Sequence, residues 1–307
     1  MTTLSVIIPA RNDGGMTAAC LDAALHSVAE LGLVCEFILI DDASEPEEKI
    51  LPVFLSARAI GSAHEFKIVR SNIHQHYSRV FSIGLHVSTG NRVFFLSNDM
   101  WVTPTFIESL LRVSALEPKF GIIRGTSNHT DSHPEYLVVP DVMPRNYGEI
   151  EAYSQQVFAA NGLGWREDKV LSGDAVLIKR SVIDTIGVVD PRFFGFFGDI
   201  DYGMRAHLAG YKLVCAGGAW LYHSGGGYLR RESEQRGEPD VGLAFQRRME
   251  LVQQGYREFR EKWGGDLPPR FADLKSMEFF PTAEARARHV PLRCELPATF
   301  LKDLEVF

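Results

Sequence analysis

Residues Cys35–Ser44 read CEFILIDDAS, in which the apolar run Phe37–Ile40 ends in two aspartates. A strand without polar alternation is buried on both faces, the condition met inside a parallel sheet that is covered by helices. The same unit recurs on either side. LSVIIPA (Leu4–Ala10), FKIVRS (Phe66–Ser71) and RVFFLSND (Arg92–Asp99) are apolar or β-branched runs, and helical periodicity fills Thr17–Leu31, Glu45–Ala59 and Ser78–Val87 between them. This βαβα order predicts an α/β fold with a mostly parallel central sheet flanked by helices. Ligands of such sheets bind beyond the carboxyl ends of the strands. Three strand ends therefore become candidates: Pro9-Ala10-Arg11-Asn12, Asp41-Asp42 and Ser97-Asn98-Asp99.

Composition narrows the function classes. The 307 residues are 45% hydrophobic and 23% charged, as in an ordinary folded chain with one large core or two adjoining ones. A formal charge of -7 argues against a sequence-independent nucleic-acid binder, which needs a basic face. Cys20, Cys35, Cys215 and Cys294 form no CxxC pair, so they read as core thiols of a reducing compartment. The apolar run near the N-terminus is too short for a signal segment, and no run approaches the roughly 20 residues of a membrane span. The expected protein is soluble and cytoplasmic, with peripheral contact at the inner face of a membrane left open.

Beyond Thr103-Pro104 the pattern changes. A helix to about Glu117 and the strand FGIIRG (Phe120–Gly125) precede an irregular stretch, Thr126–Gly148, read as a loop over the site. The strand LSGDAVLIK (Leu171–Lys179) and a short helix from Ser181 follow. Next come FFGFFGDIDYGMRAHLAGYK (Phe193–Lys212) and a strand through WLYHSGGG (Trp220–Gly227). Val241–Trp263 is an amphipathic helix, ended by Gly264-Gly265 and Pro268-Pro269. The expected division is residues 1–265 as one unit and 266–307 as an appended tail. Within the unit, 1–103 form a first half, 104–240 a second half and 241–265 the C-terminal helix.

Each candidate acid has a structural reading beside its functional one. Asp41 and Asp42 suit acceptance of hydrogen bonds from a base or ribose, and equally a turn or helix cap into Ser44. Asp99 suits a hard divalent cation that shares its oxygens with substrate phosphates, or a turn before Thr103-Pro104. His223 is a metal ligand or a satisfied strand-end histidine. In the aromatic stretch, Ile200, Met204 and Leu208 mark a buried helix face and leave Asp199 at the helix start. Asp201 is the i, i+4 partner of Arg205. Capping leaves the phenylalanines at 193, 194, 196 and 197 unexplained; they give Asp199 the water-poor setting that a general base needs.

In order, SVIIPARND, LIDDAS, FFLSNDM, the block Leu171–Lys212, WLYHSGGG and REFREKWGG resemble the inverting family 2-type glycosyltransferases of the GT-A fold, over Leu4–Gly265. The cadence around Phe193–Tyr211 looks most like bacterial rhamnosyl- and galactofuranosyltransferase-like members. The resemblance implies that Asp42, with Asp41 beside it, binds uridine and ribose and that Pro9, Ala10, Arg11 and Asn12 form the wall of that site. It further implies that Asn98 belongs to the nucleotide site and that Arg79 reaches the diphosphate. Asp99 and His223 would hold Mn2+ or Mg2+, Asp199 would be the base, and Gly173 and Asp174 would lie on the acceptor side. The implied partners are a nucleotide-diphosphate sugar, a UDP- or dTDP-sugar, and a glycan or lipid-linked glycan acceptor in surface polysaccharide synthesis; self-association or membrane contact would use the tail.

Three departures from the family pattern stand out. Ser97 replaces the first carboxylate of the metal motif, the loop SNIHQHYSRVFSIGL (Ser71–Leu85) lacks its usual glycine, and Gly198 replaces the acid of a Glu-Asp pair. They motivate a competing reading as a degenerate glycan- or partner-binding module. A sugar-phosphate nucleotidyltransferase is the other alternative, but PARNDGGM offers only Arg11 and a glycine pair to hold a triphosphate.

Overall fold

A computed structural model describes residues 4–130, 134–225, 232–234, 236–264, 267–274 and 290–307. Strands β1 (Leu4–Ala10), β2 (Cys35–Asp42), β3 (Glu65–Ser71) and β4 (Arg92–Leu96) alternate with helices α1 (Gly14–Glu30), α2 (Ile50–Ile60) and α3 (His76–Val87). β5 (Met100–Trp101), α4 (Pro104–Leu116), β6 (Phe120–Ser127), α5 (Tyr147–Asn161), β7 (Trp165–Asp168), β8 (Ala175–Lys179) and α6 (Arg180–Ile186) follow. The chain then forms α7 (Gly198–Leu208), β9 (Lys212–His223), α8 (Gly242–Trp263), α9 (Ala298–Leu301) and β10 (Leu304–Val306).

The sheet runs β10-β3-β2-β1-β4-β8-β6-β9-β5, with β7 also paired to β9. Its first half is parallel, as the βα alternation demands, with β1 between β2 and β4. The second half departs from the mostly parallel expectation. β8 enters antiparallel between β4 and β6, and β5 and β7 pair antiparallel with β9, so the whole is a mixed sheet. β2 shows why its run carries no polar alternation: Phe37 and Leu39 pack on the face covered by α1, α2 and α4, and Ile38 and Ile40 on the face covered by α3 and α6.

A third apolar cluster covers the aromatic stretch. Phe193, Phe197, Ile200 and Met204 pack against Val252, Tyr256, Phe259 and Trp263 of α8. Below it lies a buried charged knot: Arg205 Nε is 2.8 Å from Asp201, and Lys262 Nζ lies 2.6 Å from Asp201 and 2.7 Å from Asp190. Asp201 also accepts from Trp263 Nε1 at 3.0 Å, which makes it a structural residue that fastens α7 to α8.

The described part of the tail is no separate appendage. Leu304–Val306 adds an antiparallel edge strand to β3, Cys294 exchanges backbone hydrogen bonds with Ile186 and Val188, and Arg205 donates to Leu292 O at 2.9 Å. Backbone bonds hold it, together with scattered apolar contacts of Leu296, Phe300 and Leu304, which leave no apolar period in the sequence. α5 lies within the stretch bordering the expected loop, and its pattern is weak because only Ile150, Ser154 and Val157 are buried. Among the described residues no helix is long and apolar enough to cross a membrane.

Candidate active site

The carboxyl ends of β1, β2 and β4 open into a cleft of about 1340 Å³, closed on the far side by α7 and α8. Pro9, Ala10, Arg11, Asn12, Asp42, Asn98, Asp99, Gly173, Asp174, Asp199 and His223 all line it. Asp41 and Arg79 do not.

Strand parity separates the two aspartates of CEFILIDDAS. Asp41 is buried, accepts from Ser44 N at 2.9 Å and faces Arg70 at 3.6 Å, so it is the turn residue of its structural reading. Asp42 borders the cleft and clamps the loop before α3, accepting from Gln75 N at 2.6 Å and His76 N at 3.1 Å and meeting His74 Nδ1 at 2.7 Å. Asn12 adopts a left-handed conformation (φ 59°) and ties the first loop to the second: its N–H donates to Ser44 Oγ and its Oδ1 accepts from Glu45 N, each at 2.9 Å.

The clamped loop starts an aromatic ladder. The His74 and His76 ring centroids are 3.6 Å apart, and His76 lies 3.9 Å from Phe194. Burial, then the charge on neighbouring His74, push the His76 pKa down to about 4 despite Asp42, so this ring is neutral at physiological pH. The Arg79 guanidinium is sandwiched between Phe194 and Phe300, 4.8 Å from each centroid, with Nε donating to Pro191 O. The guanidinium is thus engaged by these two rings, and Arg79 is not among the residues that line the cleft.

After β4, Ser97 N donates to Asp174 O at 2.9 Å and Asn98 Nδ2 to Thr17 Oγ1 at 2.9 Å, which fixes the turn that presents Asp99. Pairing of Met100 with His223 in the β5–β9 ladder brings His223 Nε2 to 3.1 Å from Asp99 Oδ2. The other ring nitrogen faces His129 O at 3.0 Å. Burial lowers the His223 pKa, but the Asp99 carboxylate outweighs it and the net value rises to about 9. Among the described residues no group of three or more His, Cys, Asp or Glu side chains is arranged to hold a metal ion. One carboxylate and one imidazole beside an open cleft nevertheless fit a hard divalent cation that takes its other oxygens from a diphosphate. Gly226 and Gly227 of WLYHSGGG lie outside the described residues.

Asp199 lines the same cleft. The helix cap is Phe197 (φ 69°), so Asp199 is the second residue of α7 rather than its cap. Its Oδ1 accepts from its neighbour Ile200 N at 2.9 Å and its Oδ2 from Gly173 N at 3.1 Å. The carboxylate is enclosed by protein yet still reached by solvent from the cleft. Burial raises its pKa to about 6, against the two N–H donors and with help from nearby Asp174. Such a group is ionised at neutral pH and close enough to neutrality to accept a proton. Asp174 is held from behind by Arg124, which is buried, stacks on Tyr136 at 3.5 Å and donates to Ser172 O at 3.2 Å.

Gly198 and Gly173 mark close approaches. A side chain at 198 would begin 2.5 Å from Ser78 Oγ, and one at 173 would begin 2.1 Å from Tyr77 Oη and 3.0 Å from Asp199 Cβ. Tyr77, Ser78 and Arg124 are thus site-building residues that sequence reading missed. The glycines opposite them were the only signal, and a glycine does not say what it makes room for.

Comparison with known proteins agrees with this geometry. The pattern described as "Glycosyl transferase family 2" matches residues 5–187. No curated protein sequence matches the chain. Among solved structures, a mannosyltransferase from Pyrobaculum calidifontis, PcManGT, in complex with GDP-Man and Mn2+, superposes with TM-score 0.55 at 14% identity over 87% of this chain. GalNAc-T7 with UDP, GalNAc and Mn2+ superposes with TM-score 0.54 at 16% identity over 73% of this chain. The chain spans 66% of the first and 44% of the second. At these identities the likeness is one of fold, the GT-A arrangement, and the family rests on the sequence pattern. The chain belongs to glycosyl transferase family 2.

Proposed function

We propose that the protein is an inverting, metal-dependent glycosyltransferase that moves a hexosyl or deoxyhexosyl unit from a UDP- or dTDP-sugar to a hydroxyl of a glycan or lipid-linked glycan acceptor. The observation that carries this reading is that one cleft is lined both by a desolvated carboxylate, Asp199, and by the Asp99–His223 pair. Two structures of the same fold were solved with nucleotides and Mn2+.

The nucleotide would lie along Pro9–Asn12 and Asp42, with its diphosphate at Asp99 and His223. A divalent ion held there supplies charge stabilisation to the departing diphosphate. Asp199 accepts the proton of the acceptor hydroxyl as that oxygen bonds to the anomeric carbon from the face opposite the leaving group. The bond between the anomeric carbon and the phosphate oxygen breaks, and its electron pair leaves with the diphosphate. One displacement inverts the anomeric configuration. Phe196, Phe197 and Ile200 line the acceptor side and keep water from competing.

The test is a panel of nucleotide sugars assayed for thermal stabilisation with and without Mn2+, followed by transfer to glycan acceptors with the best donor. Mn2+-dependent stabilisation by a UDP- or dTDP-sugar and an inverted product are expected. Failure of every nucleotide sugar to stabilise the protein would overturn the reading.

A further inference from the structure

Two buried hydroxyls without partners among the described residues crowd Gly173 and the start of α7. Tyr77 Oη and Ser78 Oγ, in the first turn of α3, have no hydrogen-bond partner among the described residues. Leaving a buried hydroxyl unpaired costs about 1–3 kcal/mol, so such groups are uncommon and call for a reason. Packing alone does not supply one here, because phenylalanine would fill the Tyr77 site without the cost. Its ring is wedged edge-on against Phe95, 5.7 Å between centroids, and tilted against Phe81 at 6.0 Å. The same crowding at Gly173 that brings Asp199 Cβ close also fixes the phenol oxygen. The oxygen is held in place; the hydrogen is free to turn.

We propose that Tyr77 is a positioning residue for Asp199, its hydroxyl donating a hydrogen bond to the Asp199 carboxylate when that group is charged. A small rotation of the carboxylate completes the contact, since hydrogen bonds of this kind are long or misaligned in sites without substrate and tighten in the loaded state. Tyr77 is suited to donate: burial, and then the carboxylates of Asp199 and Asp174, push its own ionisation well above the usual phenol range. The other groups that act on Asp199 are the Gly173 and Ile200 N–H donors and Asp174, with Arg124 behind it; Arg248 and Arg257 of α8 line the same cleft. A charge-assisted O–H donor favours the ionised form and aims the free lone pairs of Asp199 at the acceptor. The clamp by Asp42 on Gln75 N and His76 N fixes the residues immediately before Tyr77, so the same contact links the nucleotide side of the cleft to the base.

The proposal rests on Asp199 as the base, and its test is separable from that reading. In the full-length protein labelled with carboxyl-13C aspartate, the Asp199 signal is identified by its loss in Asp199→Asn and titrated in wild type and in Tyr77→Phe. The expected result is an Asp199 midpoint raised in Tyr77→Phe by about one pH unit, a tenfold weaker acid. In transfer assays the acid limb of kcat/KM moves by the same amount, the donor KM is unchanged and much of the lost rate returns at alkaline pH. An unchanged or lowered midpoint overturns the proposal, as does a rate loss equal at every pH, which is the mark of a merely structural role. Should Tyr77→Phe fail to fold, 3-fluorotyrosine at position 77, a stronger donor, must lower the midpoint, and no movement overturns the proposal. A shifted midpoint in a protein that transfers no sugar upholds the Tyr77–Asp199 coupling and refutes the transferase reading alone.

Discussion

Ser78 occupies the space that an acid at position 198 would need. Its Oγ lies 2.5 Å, and its Cβ 2.7 Å, from where a side chain on Gly198 would begin, and Val189 closes the third direction at 2.8 Å. The glycine is therefore a packing requirement of α7 against α3 and no sign of lost function. Gly198→Glu, which restores the acid usual in similar sequences, is expected to destabilise the protein by about 1–3 kcal/mol or more, since overpacking forces backbone shifts. It also moves Asp199, so transfer falls. Thermal unfolding and transfer assays check both, and a Gly198→Glu variant as stable as wild type with improved transfer would show that the site lacks its second acid.

Asp199→Asn is expected to keep donor binding and lose transfer by a factor of 100 or more, the scale of a lost general base. In wild type the rate should fall as pH drops through about 6, where the base becomes protonated. The stability effect runs the opposite way. A carboxyl group whose pKa is raised from 3.8 to about 6 on folding favours the fold only while protonated, so stability is lost as pH rises across that window. Asp199→Asn should therefore melt higher than wild type at pH 7 and indistinguishably below pH 3.8. Equal melting temperatures at pH 7 would mean that the carboxylate bears no desolvation cost.

Asp99→Ala and His223→Ala separate the metal site from the base. Each is expected to weaken Mn2+-dependent donor binding at least tenfold by calorimetry, because only two protein ligands gather there among the described residues. Nucleotide binding without metal should change little, since Asp42 and the Pro9–Asn12 wall are untouched. Unchanged Mn2+ dependence in both variants would remove the pair from the metal site.

The N-terminal half was legible because buried parallel strands write their positions as apolar runs, and three of their ends do converge on one cleft. Which of two adjacent aspartates faces that cleft was not, because a run apolar on both faces hides strand parity; Asp41 turned to Ser44 and Arg70, and Asp42 to the α3 loop. The second half shows motifs in its sequence but not its antiparallel pairings, which depend on bonds between residues far apart in the chain. The same holds for the tail, whose return to β3 and to Arg205 rests on backbone atoms that every residue has.

The knot of Asp201, Arg205, Lys262 and Asp190 predicts an unequal response to substitution. Lys262 is buried between two buried carboxylates, and removing it leaves both with a missing counter-charge. Breaking a buried pair from one side costs about 3–5 kcal/mol, whereas exchanging all partners for apolar groups can be nearly neutral. Lys262→Met is therefore expected to lower stability by that amount at pH 7. Burial opposes ionisation of Asp190, but Lys262, then Arg192, hold its pKa below the usual carboxylate range. That contribution is present above the ordinary value of 3.8 and lost as pH falls through the depressed one, so the penalty of Lys262→Met should shrink in acid. A loss below 1 kcal/mol in denaturant titrations would show that the knot is solvated.

Arg79 is the residue on which family resemblance and geometry part most clearly. A diphosphate ligand should dominate donor affinity, since charge-assisted contacts are strong, so its loss would weaken the donor more than tenfold. A guanidinium held between Phe194 and Phe300 does something else: it fastens the Phe193–Phe197 stretch, which leads into Asp199, to α3 and to the tail. Each such contact is worth about 0.5–2 kcal/mol, depending on how far it is desolvated. Burial lowers the Arg79 pKa, but a guanidinium is not deprotonated in proteins, so the group stays charged and the stack persists across the working pH. Arg79→Ala is therefore expected to lower stability by about 1–2 kcal/mol and kcat severalfold, with donor affinity within twofold of wild type. Phe300→Ala, at the other end of the sandwich and outside the lining of the cleft, should reproduce the kcat effect in weaker form. Calorimetry of donor binding decides: a tenfold loss in Arg79→Ala that Phe300→Ala does not share would return Arg79 to the diphosphate.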